Sequence, residues 1–295
     1  MSEPTVIVSV LKRDRIVVIA ALLCITLLAW LYLLDMARDM GSMDVAMGEG
    51  ASESMDMPMQ GEAAGEMAMD MPSDASMDGP MGGAMVMMQI ADWTPGYFVM
   101  MFLMWAIMMV GMMVPSAAPI VLVYASFSRK NEKASPYLST GSFLGGYLLV
   151  WTGFSLIATL LQWGLDEAAL LSPMMVSTSP MLGAGILITA GVYQLSPYKN
   201  ACLAHCRHPI QYFMAHWRKG RIGALRMGLH HGVFCLGCCW FLMMLLFFGG
   251  VMNLLWIAAI TLFVLLEKVI PARIPTNKIV APVLIFLGLY VLMGG

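Results

Sequence analysis

The chain predicts an all-α fold: a polytopic helical membrane protein of about seven transmembrane helices, with a disordered Met-rich extracytoplasmic loop. Three observations carry that expectation. Hydrophobic residues make up 60% of the 295 and charged residues 12%, with a mean hydropathy of +0.78, against about 25% charged in a soluble globular chain. Apolar runs long enough to cross a bilayer recur along the sequence. The basic residues sort to one side of the alternating loops. The same composition, at a net charge of −2, excludes an ordinary cytosolic domain, disorder over most of the length and a basic nucleic-acid binder. The expected partner surface is the lipid bilayer, not nucleic acid.

The first run, residues 16–34, is apolar or weakly polar throughout and spans roughly 28 Å as a helix, close to the hydrocarbon thickness. Lys12, Arg13 and Arg15 precede it, as in a signal peptide. The apolar stretch is too long for one, and the following LLDMARDM lacks a small-residue cleavage site. A retained anchor is therefore expected. Further spans fall at 97–124, 138–163, 180–197, 229–249, 251–267 and 279–294. Gly249–Gly250 is the weakest boundary, where one broken helix competes with two spans. With seven spans and the N-terminus inside, 15 of the 16 Lys and Arg face the cytoplasm and only Arg38 lies outside, as expected when translocating basic residues is unfavourable. The chain then divides into a cytoplasmic N-terminus with the first helix (1–34), a Met-rich acidic loop (35–92) and a six-helix transmembrane metal-binding domain (93–295).

Methionine is the second anomaly: 32 of them outnumber Phe and Tyr together. Residues 35–92 hold 15 methionines, 12 of the 18 acidic residues and one basic residue. They carry no apolar periodicity that would build a core. Near-repeats place Met55, Met57 and Met59, then Met67, Met69 and Met71, at alternate positions. A solvated linker has no use for an oxidisable thioether. A thioether is a soft neutral ligand suited to Cu(I), and the surrounding carboxylates supply a field that attracts cations. In the second span Met100, Met104, Met108 and Met112 fall four residues apart. Such a stripe reads equally as plastic packing and as a ladder of weak soft-metal sites. Pro115 and Pro119 interrupt that helix and free carbonyls.

The remaining chemistry is concentrated in two stretches. One reads Cys202-Leu203-Ala204-His205-Cys206-Arg207-His208. The other runs from His230-His231 to Cys235, Cys238 and Cys239. On a helix His231, Cys235 and Cys239 share a face with Cys238 beside it. Thiolates and imidazoles are ligands for Zn(II) and Cu(I), and a cytoplasmic position disfavours disulfides. The two stretches form either one site or two. Lone Cys24 reads as a small buried hydrophobe, and His216 as a member of a basic loop. Glu267 beside Lys268 reads either as an interfacial ion pair or as a functional carboxylate at depth.

The blocks MMVGMMVPSAAPIVLVYASF (108–127), YQLSPYKNACLAHCRHP (193–209) and GVFCLGCCWFLMMLLFFGGVMNLLWIAAITLFVLLEK (232–268) resemble a bacterial family of uncharacterised, predicted metal-binding integral membrane proteins, often labelled copper chaperones. The resemblance covers about 97–294. It implies a location in the bacterial inner (plasma) membrane and makes Cys202, His205, Cys206, Cys235, Cys238 and Cys239 candidate ligands. The Met-rich loop also resembles the ectodomains of eukaryotic copper transporters. Their membrane M-x-x-x-M is matched by Met104 with Met108 and Met109 with Met113, as convergence on one ligand chemistry. The expected function is a non-enzymatic membrane Cu(I)-binding protein, a chaperone or copper-handling protein. It would capture Cu(I) at the loop methionines and hold it at the Cys/His cluster, with zinc as the alternative ion there and a cuproenzyme or copper-trafficking protein as partner. The alternatives are a membrane oxidoreductase or cuproenzyme-assembly subunit using the Cys/His cluster, or a non-catalytic subunit of a membrane complex. The adjacent Cys238–Cys239 pair is unlike the C-x-x-C of thiol oxidoreductases.

The topology is open to direct test. A cysteine introduced at residue 60 should react with an impermeant maleimide in intact cells. Reaction only after permeabilisation would contradict an extracytoplasmic loop.

Overall fold

The computed structural model describes residues 15–38, 93–131, 136–168, 170, 179–270 and 276–294. Among them every regular element is a helix and none is a strand. The loop methionines Met55, Met57, Met59, Met67, Met69 and Met71 lie outside the described residues. In chain order the helices are α1 (Arg15–Arg38), α2 (Pro95–Asn131), α3 (Pro136–Glu167), α4 (Pro180–Leu195), α5 (Pro197–Arg207), α6 (Pro209–His216), α7 (Gly220–Met244), α8 (Leu246–Gly249), α9 (Leu254–Val269) and α10 (Thr276–Leu292).

Four helices are long and apolar enough to cross a membrane: α1, α2, α3 and the Gly220–Gly249 run of α7 with α8. The other three expected spans correspond to the shorter helices α4, α9 and α10, of 16, 16 and 17 residues. Sixteen helical residues reach about 24 Å, short of a hydrocarbon core of about 30 Å. The helix α7, in place of the span expected from 229, begins at Gly220, and the expected loop around 198–228 is largely the helices α5 and α6. Their starts have a local cause. Ser179 and Ser196 cap α4 and α5 through their hydroxyls, and a proline follows each, where its fixed φ and missing N–H suit a first turn. The break at Gly249–Gly250 makes two helices. Gly250 has φ 92°, open to glycine at little steric cost, and the Asn253 side chain then caps α9 by accepting from Trp256 N at 3.2 Å.

Two prolines sit inside α2. Pro115 has no N–H for the carbonyl of Gly111, four residues back, and the indole of Trp30 on α1 donates to that carbonyl at 3.3 Å. The freed backbone group is thus satisfied by a neighbouring helix. Met101, Met109 and Met113 widen the methionine stripe. Met101, Met104, Met108, Met109, Met112 and Met113 are all at most 3% exposed, whereas Met100 is 45% exposed. The thioethers therefore form the inner face of α2.

The helices meet where side chains vanish. A Cβ at Gly146 of α3 would meet the carbonyl of Leu225, one at Gly228 of α7 the carbonyl of Phe143, and one at Gly232 the Val150 side chain at 2.9 Å. At the α4–α10 contact, a Cβ at Gly191 would lie 2.9 Å from the Ala281 carbonyl. Small residues permit this backbone approach where no hydrophobic effect drives helices together. Gly228→Ala should therefore lower the stability of the purified protein by about 1–3 kcal/mol through overpacking. Gly145→Ala, with nothing within 4 Å of its new methyl, should be neutral or slightly stabilising in the same detergent melt. Equal effects of the two would contradict the close crossing.

Candidate metal centre

Cys235, Cys238 and Cys239 lie at i, i+3 and i+4 on α7, so one helix turn presents all three thiols on one side. All are buried, and their sulfurs lie within 4.8 Å of one another. Local hydrogen bonds aim them: the Sγ of Cys238 and of Cys239 both donate to the Cys235 carbonyl, at 3.0 and 2.9 Å. Cys235 Sγ also accepts from the Lys268 ammonium at 3.0 Å and lies 3.2 Å from the Tyr147 hydroxyl. Among the described residues this trio is the group of three Cys, His or acidic side chains close enough to share an ion.

The second stretch brings two more thiols. Cys206, on the last turn of α5, hydrogen-bonds with Cys235 and Cys238, and those bonds push its thiol well above the usual range. Cys202 packs against Gly237, where a Cβ would sit 2.9 Å from its Sγ. Burial, then the proximity of Cys238, raises its pKa. Five of the six cysteines thus gather between α5 and α7, and Cys24 on α1 stays apart and exposed. Cys235-Leu236-Gly237-Cys238 is itself a C-x-x-C, a spacing missed when Cys238–Cys239 is read alone.

The histidines divide. His231 is buried, and its Nδ1 has no hydrogen-bond partner. Its ring stacks near Tyr147 and Phe143. It lines a cavity of about 240 Å³ together with Ser116, Cys206 and Lys268. His205 stacks on Phe234 with centroids 4.0 Å apart, and His208 and His205 line a separate surface cavity with Tyr212 and His216. His230 turns to Tyr212, whose hydroxyl is 3.1 Å from its Nδ1. The histidines of the two stretches therefore part: His231 lines the cavity beside Cys206, while His205, His208 and His230 face outward.

Charge positions α5. Lys199 and Glu267 form a buried ion pair at 2.7 Å, and Arg207 Nε donates to the Glu267 carbonyl at 2.9 Å. Glu267 is thus paired across helices with Lys199, not with its neighbour Lys268. Lys268 instead donates to Ser116 Oγ at 2.7 Å as well as to Cys235. Nothing in the sequence singles out Lys268 or Tyr147 as neighbours of a thiol. Removing one partner of a buried pair leaves an uncompensated charge, at a cost of about 3–5 kcal/mol. Lys199→Met should therefore destabilise the protein by that order and loosen α5, seen as faster alkylation of Cys206 by an uncharged maleimide. An unchanged melt and unchanged labelling would contradict the pair's role.

A family model described as PpoB2, copper chaperone, matches residues 102–291. All three sequence blocks quoted above lie inside that match. No curated protein and no solved structure matches the chain.

Proposed function

The chain belongs to the PpoB2 copper chaperone family, and on that footing we propose that it is a membrane protein that captures and holds Cu(I). The observation that carries this reading is the trio of buried thiols on one turn of α7, their sulfurs within 4.8 Å. Soft thiolates suit Cu(I), which accepts few ligands. Cys206, hydrogen-bonded to Cys235 and Cys238, would add a fourth sulfur, and His231 lines the same cavity as Cys206. Copper is favoured over zinc by the family and by the thioether supply, since methionine sulfur holds borderline ions weakly.

In this reading the acidic methionine segment 35–92 gathers Cu(I) on the extracytoplasmic side of the membrane. The inner face of α2 offers thioethers from Met101 to Met113, about 18 Å of helix. Met104, Met108 and Met112 would be steps on that path. Its inner end meets the thiols through Tyr147, whose hydroxyl is 3.2 Å from both the Met113 carbonyl and Cys235 Sγ. The membrane is the bacterial inner membrane, with the N-terminus and α5–α6 cytoplasmic. The protein that receives the copper is a cuproenzyme or another copper-trafficking protein.

Copper content of the purified chain tests the reading. Wild type should retain about one Cu(I) under a competing chelator, and Cys235→Ser with Cys238→Ser should lose most of it. Replacing Met55, Met57, Met59, Met67, Met69 and Met71 by Leu should weaken Ag(I) binding to the 35–92 segment while leaving the inner copper in place. Full copper retention by the double cysteine variant would overturn the inner site. Unchanged Ag(I) titration would overturn capture by the loop.

A further inference from the structure

Where α6 ends and α7 begins, a surface pocket of about 200 Å³ is lined by Tyr212, His216, Arg218, Arg226, Met227 and His230. Two guanidiniums border this one small pocket, and no carboxylate lines it. Among the described residues neither guanidinium has an ion-pair partner. The described carboxylates are committed or distant. Glu267 is paired with Lys199 at 2.7 Å. Asp166 and Glu167 lie at the far end of α3, about 30 Å along that helix from its crossing with α7 at Gly146. Asp35 stands on the last turn of α1, a helix that contributes nothing to the pocket. Two fixed positive charges without a counter-charge repel a cation and favour an anion.

The surroundings say what kind of anion. Ile210 and Met214, four residues apart on α6, are 55% and 74% exposed, and Ile222 in the first turns of α7 is 70% exposed. Between them in the chain stand Arg218, Lys219 and Arg221, all exposed. Ile222, Arg226 and His230 recur every four residues down one face of α7, and all three are exposed. Bare apolar side chains interleaved with basic ones fit the boundary between acyl chains and headgroups. The wall behind the guanidiniums is firm: the Tyr212 hydroxyl donates to the Met227 carbonyl at 3.0 Å, which ties α6 to α7.

We propose that the Arg218–Arg226 pocket binds the phosphate of an anionic phospholipid headgroup, with the lipid's chains against the exposed apolar side chains beside it. A guanidinium fork matches two phosphate oxygens at once and stays charged at any pH the protein meets. A basic pocket at the membrane end of helices is the arrangement that selects acidic headgroups. Such a lipid would bridge α6 and α7, since Tyr212 and His216 come from one and Arg226 and His230 from the other. The assignment rests on the guanidiniums and goes beyond the copper reading of the thiols, so either stands without the other.

The test uses the full-length protein in detergent, stripped of lipid and titrated with dioleoyl phosphatidylglycerol, with bound lipid counted by native mass spectrometry. Wild type should hold about one phosphatidylglycerol more tightly than any further copy. Arg218→Gln with Arg226→Gln should weaken that lipid at least about tenfold. Arg221→Gln, which removes an equally exposed charge outside the pocket, should change it less than about twofold. Should the double variant misfold, Arg218→Lys with Arg226→Lys supplies the readout: it keeps both charges but lacks the fork, and should still weaken the lipid. Copper retention should match wild type in each variant. Equal lipid retention in wild type and the paired variants would overturn the site. A loss as large in Arg221→Gln would assign the binding to diffuse surface charge and overturn it too. Inorganic phosphate displacing the lipid at equal concentration would make the ligand a free anion and overturn the lipid assignment.

Discussion

Everything at the thiol centre depends on how closely α3 and α7 cross. Gly146 and Gly228 allow each backbone to rest on the other, with carbonyls where methyl groups would be. Tyr147, the next residue on α3, is thereby set against Cys235, two turns along α7 from Gly228. The same contact buries His231 against Tyr147 and Phe143. A wider crossing would leave the three cysteines on a helix turn with nothing to close them in. The glycines that give the interface its depth thus also determine which side chains border the three thiols.

Charge does the rest. Lys199, Arg207 and Glu267 tie α5 to α9, and that tie carries Cys206 to Cys235 and Cys238. Lys268 lies across the opening of the centre, bound to Ser116 on one side and Cys235 on the other. A thiolate at Cys235 therefore has a counter-charge before any ion arrives, and an incoming cation has to displace that ammonium. Such a site is suited to a soft ion that binds sulfur more strongly than an ammonium does, and it offers less to a hard ion.

Much of this was legible in the sequence. Hydropathy and the distribution of Lys and Arg indicated a helical membrane protein, and the i, i+3, i+4 spacing placed Cys235, Cys238 and Cys239 on one face. The helix ends differed from those of the expected spans because hydropathy reports composition, not where a cap or a positive φ ends a helix. Ser196–Pro197 and Gly250 were the relevant signals for α5 and for the break before α9. The partners of Cys235 were not legible. Tyr147 and Lys268 come from helices distant in sequence, and only the packed bundle brings them together. The histidines show the same limit, since adjacent His230 and His231 point to different places, one to Tyr212 and one to the cavity beside Cys206.

X-ray absorption at the copper edge, on full-length protein loaded with one equivalent of Cu(I), tests the central claim most directly. Copper in the thiol nest predicts a first shell dominated by sulfur at about 2.3 Å, the distance usual for metal–thiolate bonds to zinc. It also predicts loss of that shell in Cys235→Ser with Cys238→Ser. A shell of nitrogen and oxygen alone, unchanged by those substitutions, would contradict it.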